Sequence, residues 1–105
     1  MLKARPLRIV IIDDYEDSTE TLAAAVEALG PHVVSTFATA EAALAAWPDL
    51  NPELALIDIG LQQSMDGCEL ARRVQGLSRT YLVAVSGYNR PQDLERCREA
   101  GFHDH

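Results

Sequence analysis

The sequence has only two cysteines, no long apolar run and few basic residues. Cys68 and Cys97 stand 29 positions apart, which fits neither a zinc nor a redox spacing, so reduced, partly buried thiols are expected. No apolar stretch approaches the ~18 residues of a membrane span. The opening "MLKARPL" lacks the apolar core of a signal peptide, and the expected compartment is the cytoplasm. Nine Lys and Arg stand against sixteen Asp and Glu, a net charge of −7. Such a surface is repelled by phosphate backbones and anionic lipid, which excludes direct nucleic-acid and membrane binding as expectations. Phosphate-loop, dinucleotide and zinc-protease fingerprints are absent, as are repeats, low-complexity tracts and interior linkers.

What is there suits one domain. The 105 residues suffice for one core and are too few for two. Hydrophobic content of 48% with 24% charge is ordinary for a folded protein and opposes disorder.

Short strands and helices alternate along the chain. Positions 8–12, "RIVII", read as a first strand, apolar after Arg8 and therefore buried on both faces. Asp17 and Glu20 form a candidate capping box for a helix carrying Leu22, Ala25, Val26 and Leu29 at helical spacing, stopped by Gly30-Pro31. Positions 32–37 form a second strand, with His32 as an ordinary half-exposed residue at its start. Thr39 is a candidate cap for "AEAALAAW", a helix expected to end before Pro48 with Trp47 packing its end on the sheet. Positions 53–58 form a third strand, and the loop "IGLQQSMDG" leads to a helix over "CELARRVQ". Positions 80–86 form a fourth strand, after which Pro91 opens a helix to Ala100 that Gly101 terminates. Repeated β-α-β units imply a parallel sheet with helices on both faces and right-handed crossovers.

In such sheets ligands bind beyond the carboxyl ends of the strands. Asp13-Asp14 end the first strand and Asp58 ends the third. If those strands are neighbours, about 4.8 Å apart, the three carboxylates converge. Three carboxylates so close cannot all stay ionised without a cation or a proton. A hard divalent ion such as Mg²⁺ resolves the conflict, using one or two carboxylates plus a phosphate oxygen. One carboxylate oxygen is then left as a nucleophile toward a phosphoryl group. Ser86 ends the fourth strand at the same edge, where its hydroxyl could donate to a phosphoryl oxygen. Each feature alone has a plainer reading: adjacent aspartates after a strand commonly form a turn or cap, and Ser-Gly is common turn chemistry. Their joint placement at strand ends points to a site.

The stretches "IIDDYED", "LALIDIGLQQSMDGCELARRV", "LVAVSGY" and "CREAGFHDH" occur in this order over residues 8–105. On these the chain resembles the receiver domain of response regulators in bacterial two-component signalling. The resemblance implies a flavodoxin-like, doubly wound α/β sheet of order 2-1-3-4-5. Here it implies a single receiver domain over 1–105, without the fifth strand and fifth helix. It also implies that Asp58 is the phospho-acceptor, Asp14 a direct Mg²⁺ ligand, and Asp13 a neighbour acting largely through water. The backbone carbonyl of Gly60 matches the third protein ligand, Ser86 the switch hydroxyl, and His105 the aromatic or histidine switch. A histidine kinase or phosphotransfer protein would be the donor, and the domain would be a switch and not a turnover enzyme.

Three departures qualify that likeness. "QQS", beginning at Gln62, replaces the family's Pro-x, which places Gly67 one residue further from Asp58 than usual and alters the loop bordering the site. Tyr88 stands two past Ser86, where the family often has a small residue, and its ring could restrict access. The family's fifth-strand lysine would fall a few residues past His105. These departures motivate a second reading, a phosphorylation-independent interaction module on the same scaffold. A Mg²⁺-dependent phosphatase is weaker, because Asp58 is followed by Ile59-Gly60 and no D-x-D is formed. With no fifth strand beside it, the fourth strand is expected to be an open edge inviting self-association or segment swapping, with apolar sheet left uncovered. His103 and His105 form an H-x-H whose terminal position favours an ordinary role over a metal site.

Overall fold

The computed structural model describes residues 5–61, 65–85 and 91–104, apart from the side chains of Asp93 and Leu94. Eight elements alternate: β1 (Arg8–Ile12), α1 (Glu16–Leu29), β2 (Val33–Phe37), α2 (Ala40–Leu50), β3 (Leu54–Asp58), α3 (Gly67–Val74), β4 (Tyr81–Val85) and α4 (Pro91–Ala100). The four strands are parallel and lie in the order β2-β1-β3-β4. This is the expected flavodoxin-like arrangement.

The main core lies on one face of the sheet. Val10, Ile12, Ala55, Ile57, Leu82 and Ala84 meet Ala40, Ala43 and Trp47 of α2, Leu70, Ala71 and Val74 of α3, and Ala100 of α4. Full burial of each large side chain contributes about 1.5–3 kcal/mol. Trp47 is wholly buried, and its Nε1–H donates to Ser78 Oγ at 2.9 Å. Ser78 in turn bonds the Thr80 hydroxyl, which donates to the Pro52 carbonyl at 2.7 Å. This partly buried chain joins the end of α2 to the turn before β4.

On the opposite face α1 packs on β1 and β2. Ile9 and Ile11 are buried there, whereas their register neighbours Leu54 and Leu56, with Val83 and Val85 beyond them, stay half-exposed. None of the α1 residues is buried: Leu22 and Val26 are half-buried, Ala25 is exposed and Leu29 is 80% exposed. Among the described residues no other helix packs closely against α1, which stays wet along its flanks.

Several local expectations need correction. Asp17 and Glu20 form no capping box, because α1 starts at Glu16 with Tyr15 as an N-cap that makes no side-chain bond. Asp13 takes over the turn instead, its Oδ1 accepting from Tyr15 N–H at 2.9 Å. Thr39 does cap α2, accepting from Ala42 N–H, but Pro48 lies inside that helix. Its ring costs one backbone bond near the end, which the buried Trp47 and the left-handed Asn51 cap (φ 40°, N–H to Trp47 O, 2.8 Å) offset.

The outer edge of β4 is not open along its centre. His103 N–H and Asp104 N–H donate to the Leu82 carbonyl, and Ala84 N–H donates to the Asp104 carbonyl at 3.0 Å. His103 Nδ1 accepts from Leu82 N–H at 3.0 Å, and its ring stacks on Tyr81 with centroids 4.7 Å apart. Gly101, at φ +101°, turns the chain back after α4 so that these residues reach the strand. A bridge between Val83 and Asp104 thus stands where a fifth strand would pair, although no fifth strand is formed among the described residues.

Candidate functional site

β1 and β3 are hydrogen-bonded neighbours in register, with Ile12 opposite Ile57. The residues that follow each strand therefore emerge side by side. Asp13, Asp14 and Asp58 each offer a carboxylate oxygen, and these oxygens lie within 4.8 Å of one another. Asp13 is 8% exposed, its N–H bonded to the Phe37 carbonyl at 3.1 Å, which continues the ladder one residue past β1. Asp14 is exposed and Asp58 half-buried.

The cluster opens into a groove of about 580 Å³ lined by Asp13, Asp14, Tyr15, Asp17, Ser18, Thr21, Leu22, Asp58 and Val85. No cationic side chain is among them. Burial pushes the Asp58 carboxyl above the usual carboxylate range, and the Asp13 and Asp14 charges push it the same way. The Gly60 N–H, donating to Asp58 Oδ1 at 2.8 Å, pulls it back down. A hard, all-oxygen donor set with excess negative charge and an open face fits a small divalent cation.

The loop after β3 is pinned at both ends. Leu61 and Met65 are buried, and Met65 N–H donates to Glu41 Oε1 of α2 at 3.1 Å. Asp66 caps α3 by accepting from Glu69 N–H, and its other oxygen accepts from Arg96 of α4 at 3.3 Å. A Cβ at Gly67 would lie 2.4 Å from the Asp58 backbone oxygen, so α3 starts directly against the end of β3. Sequence reasoning marked Gly67 only for its spacing from Asp58 and overlooked Glu41 and Arg96. The Asp66-Gly67 pair was the one local signal, a helix cap followed by a residue without a side chain.

The structure brings Asp13, Asp14 and Asp58 together, and Gly60 joins them through its N–H on Asp58. Ser86, Tyr88, Gln62 and His105 lie outside the described residues, although Val85, immediately before Ser86, lines the groove. The sequence model of the response regulator receiver domain matches residues 9–105. This chain belongs to that family.

Solved receiver domains share its architecture. A CheY-like response regulator receiver from Methanospirillum hungatei JF-1 is 29% identical, with TM-score 0.85 over 95% of this chain and 79% of that one. The signal receiver domain of a modulated diguanylate cyclase from Desulfovibrio desulfuricans G20 is 27% identical, with TM-score 0.82 over 91% and 76%. The receiver domain of the histidine kinase CKI1 from Arabidopsis thaliana, solved with Mg²⁺, is 19% identical and shares the fold (TM-score 0.85, 93% and 80%). The chain spans 65% of a fourth structure, a fusion with the trimeric coiled coil of yeast Spc42 (27% identity, TM-score 0.88). No curated protein matches the sequence. Among the described residues of this receiver domain, no helix is long and apolar enough to cross a membrane.

Proposed function

We propose that this receiver domain is a phosphorylation-controlled switch in a two-component relay, accepting a phosphoryl group on Asp58 from a histidine kinase or phosphotransfer protein. One observation carries the reading: three carboxylates from two neighbouring strand ends converge in an open groove, with oxygens within 4.8 Å of one another. Asp13, Asp14, Asp58 and the Gly60 backbone carbonyl would hold Mg²⁺. When bound, the ion neutralises the carboxylates and draws charge from the phosphoryl oxygens.

The chain's own residues set up the transfer. Gly60 N–H fixes the Asp58 carboxylate through Oδ1. Burial and the neighbouring charges raise the basicity of that carboxylate, favouring its attack on phosphorus once the repulsion is relieved. The donor imidazole departs as the new oxygen–phosphorus bond forms. Ser86, next after the groove residue Val85, would donate its hydroxyl to a phosphoryl oxygen and so convey the change toward α4. Such a domain acts once per signal, in the cytoplasm, and turns over only by slow self-dephosphorylation.

Incubation with acetyl phosphate and Mg²⁺ tests this. The expected result is a phosphoryl-sized mass increase that requires the metal and is lost in Asp58→Asn. No mass increase in the parent chain would favour the second reading, a phosphorylation-independent interaction module. The lack of any cationic side chain along the groove among the described residues is what keeps that reading in view.

A further inference from the structure

The two cysteines, far apart in sequence, meet between α3 and α4. Cys68 lies in the first turn of α3 and Cys97 in α4, and both belong to the one buried cluster that these packed helices share. Neither is in a disulfide, and they are exposed by 0% and 3% respectively. Two more links join the same elements: Arg96 with Asp66 at 3.3 Å, and the Gln75 amide donating to the Ala100 carbonyl. Among the described side chains of α4, only Cys97 and Ala100 are buried, and the helix packs chiefly on α3. A terminal helix whose described side chains bury only two small residues opens more readily than the sheet core and exposes what lies beneath it.

We propose that Cys68 and Cys97 form an intramolecular disulfide that locks α4 onto α3 when the domain meets a hydroperoxide. While α4 is closed, burial pushes the Cys68 thiol up and keeps the pair inert. Opening of α4 removes that burial and leaves Cys68 beside the amides of a helix N-terminus, which favour its thiolate. The thiolate attacks the peroxide, the O–O bond breaks, and a sulfenic acid forms as water leaves. On reclosure the Cys97 sulfur attacks the Cys68 sulfur, the S–O bond breaks, and a second water carries away the remaining oxygen and protons. Two thiols are oxidised and one peroxide is reduced to two waters. The lock would hold α4, the helix that follows β4, and it does not depend on phosphoryl acceptance at Asp58.

The test treats the full folded chain with hydrogen peroxide, quenches it, and measures intact mass and peptide linkage without reductant. The expected result is the loss of two hydrogen masses and a peptide joining Cys68 to Cys97 within one chain. The melting temperature should rise by roughly 10 °C and return on reduction with dithiothreitol. Cys68→Ser and Cys97→Ala should each lack the linked peptide and the reversible rise. Oxygen additions without linkage, linkage between chains, or linkage formed only in urea would overturn the proposal. The parent-chain peptide map decides the matter even if a variant fails to fold.

Discussion

Replacing Asp58 by Asn should stabilise the metal-free domain while abolishing phosphoryl acceptance. Two unit charges 4.8 Å apart repel by about 1 kcal/mol in water-like surroundings and about 3.5 kcal/mol at an effective dielectric of 20. Asp58 faces two such partners, Asp13 and Asp14, and the half-buried, open setting favours the lower figure for each. Asn keeps an oxygen to accept the Gly60 N–H, so that bond survives. The expected gain is about 2 kcal/mol, or roughly 1–2 M in the urea midpoint, measured in EDTA at low salt. The gain has a definite pH dependence. The folded carboxyl titrates above its unfolded value, so ionisation penalises the fold only as pH rises from the ordinary aspartate range through the raised folded value. The variant's advantage should therefore be full near neutrality and vanish by about pH 3. High salt should shrink it by screening. Saturating Mg²⁺ should raise the parent's midpoint and barely move the variant's, since a cation that binds only the native site stabilises by mass action. Equal midpoints in EDTA, or a less stable variant, would refute the charge-conflict account of this site.

Two further substitutions probe the scaffold. Gly67→Ala places a methyl 2.4 Å from the Asp58 backbone oxygen and should cost about 1–3 kcal/mol in urea unfolding while lowering phosphoryl uptake; an unperturbed variant would show that α3 can shift freely. Ser78→Ala leaves the buried Trp47 Nε1–H without its partner and should cost about 1–3 kcal/mol, with the emission of the single tryptophan reporting the unfolding transition.

Local chemistry along the chain was enough to mark out the alternating elements, the Thr39 cap, Pro91 at the start of α4 and Gly101 at its end. Each depends on residues within a few positions of one another. The carboxylates at strand ends were legible for the same reason, and the strand order followed from resemblance to a family and not from periodicity. Tertiary structure decided the rest. Only β1–β3 pairing makes Asp13, Asp14 and Asp58 one site, and only the ladder's extension past Ile12 buries Asp13 while Asp14 stays in water. The closeness of Gly67 to the Asp58 backbone, the reach of His103 and Asp104 to the edge of β4, and the meeting of Cys68 with Cys97 link segments far apart in sequence. Propensity and spacing carry no information about such contacts, because the free energy that selects them comes from burying the two partners together. Pro48 makes the point in reverse: its local effect is to end a helix, yet the burial of Trp47 outweighs one lost backbone bond and the helix runs on to Leu50.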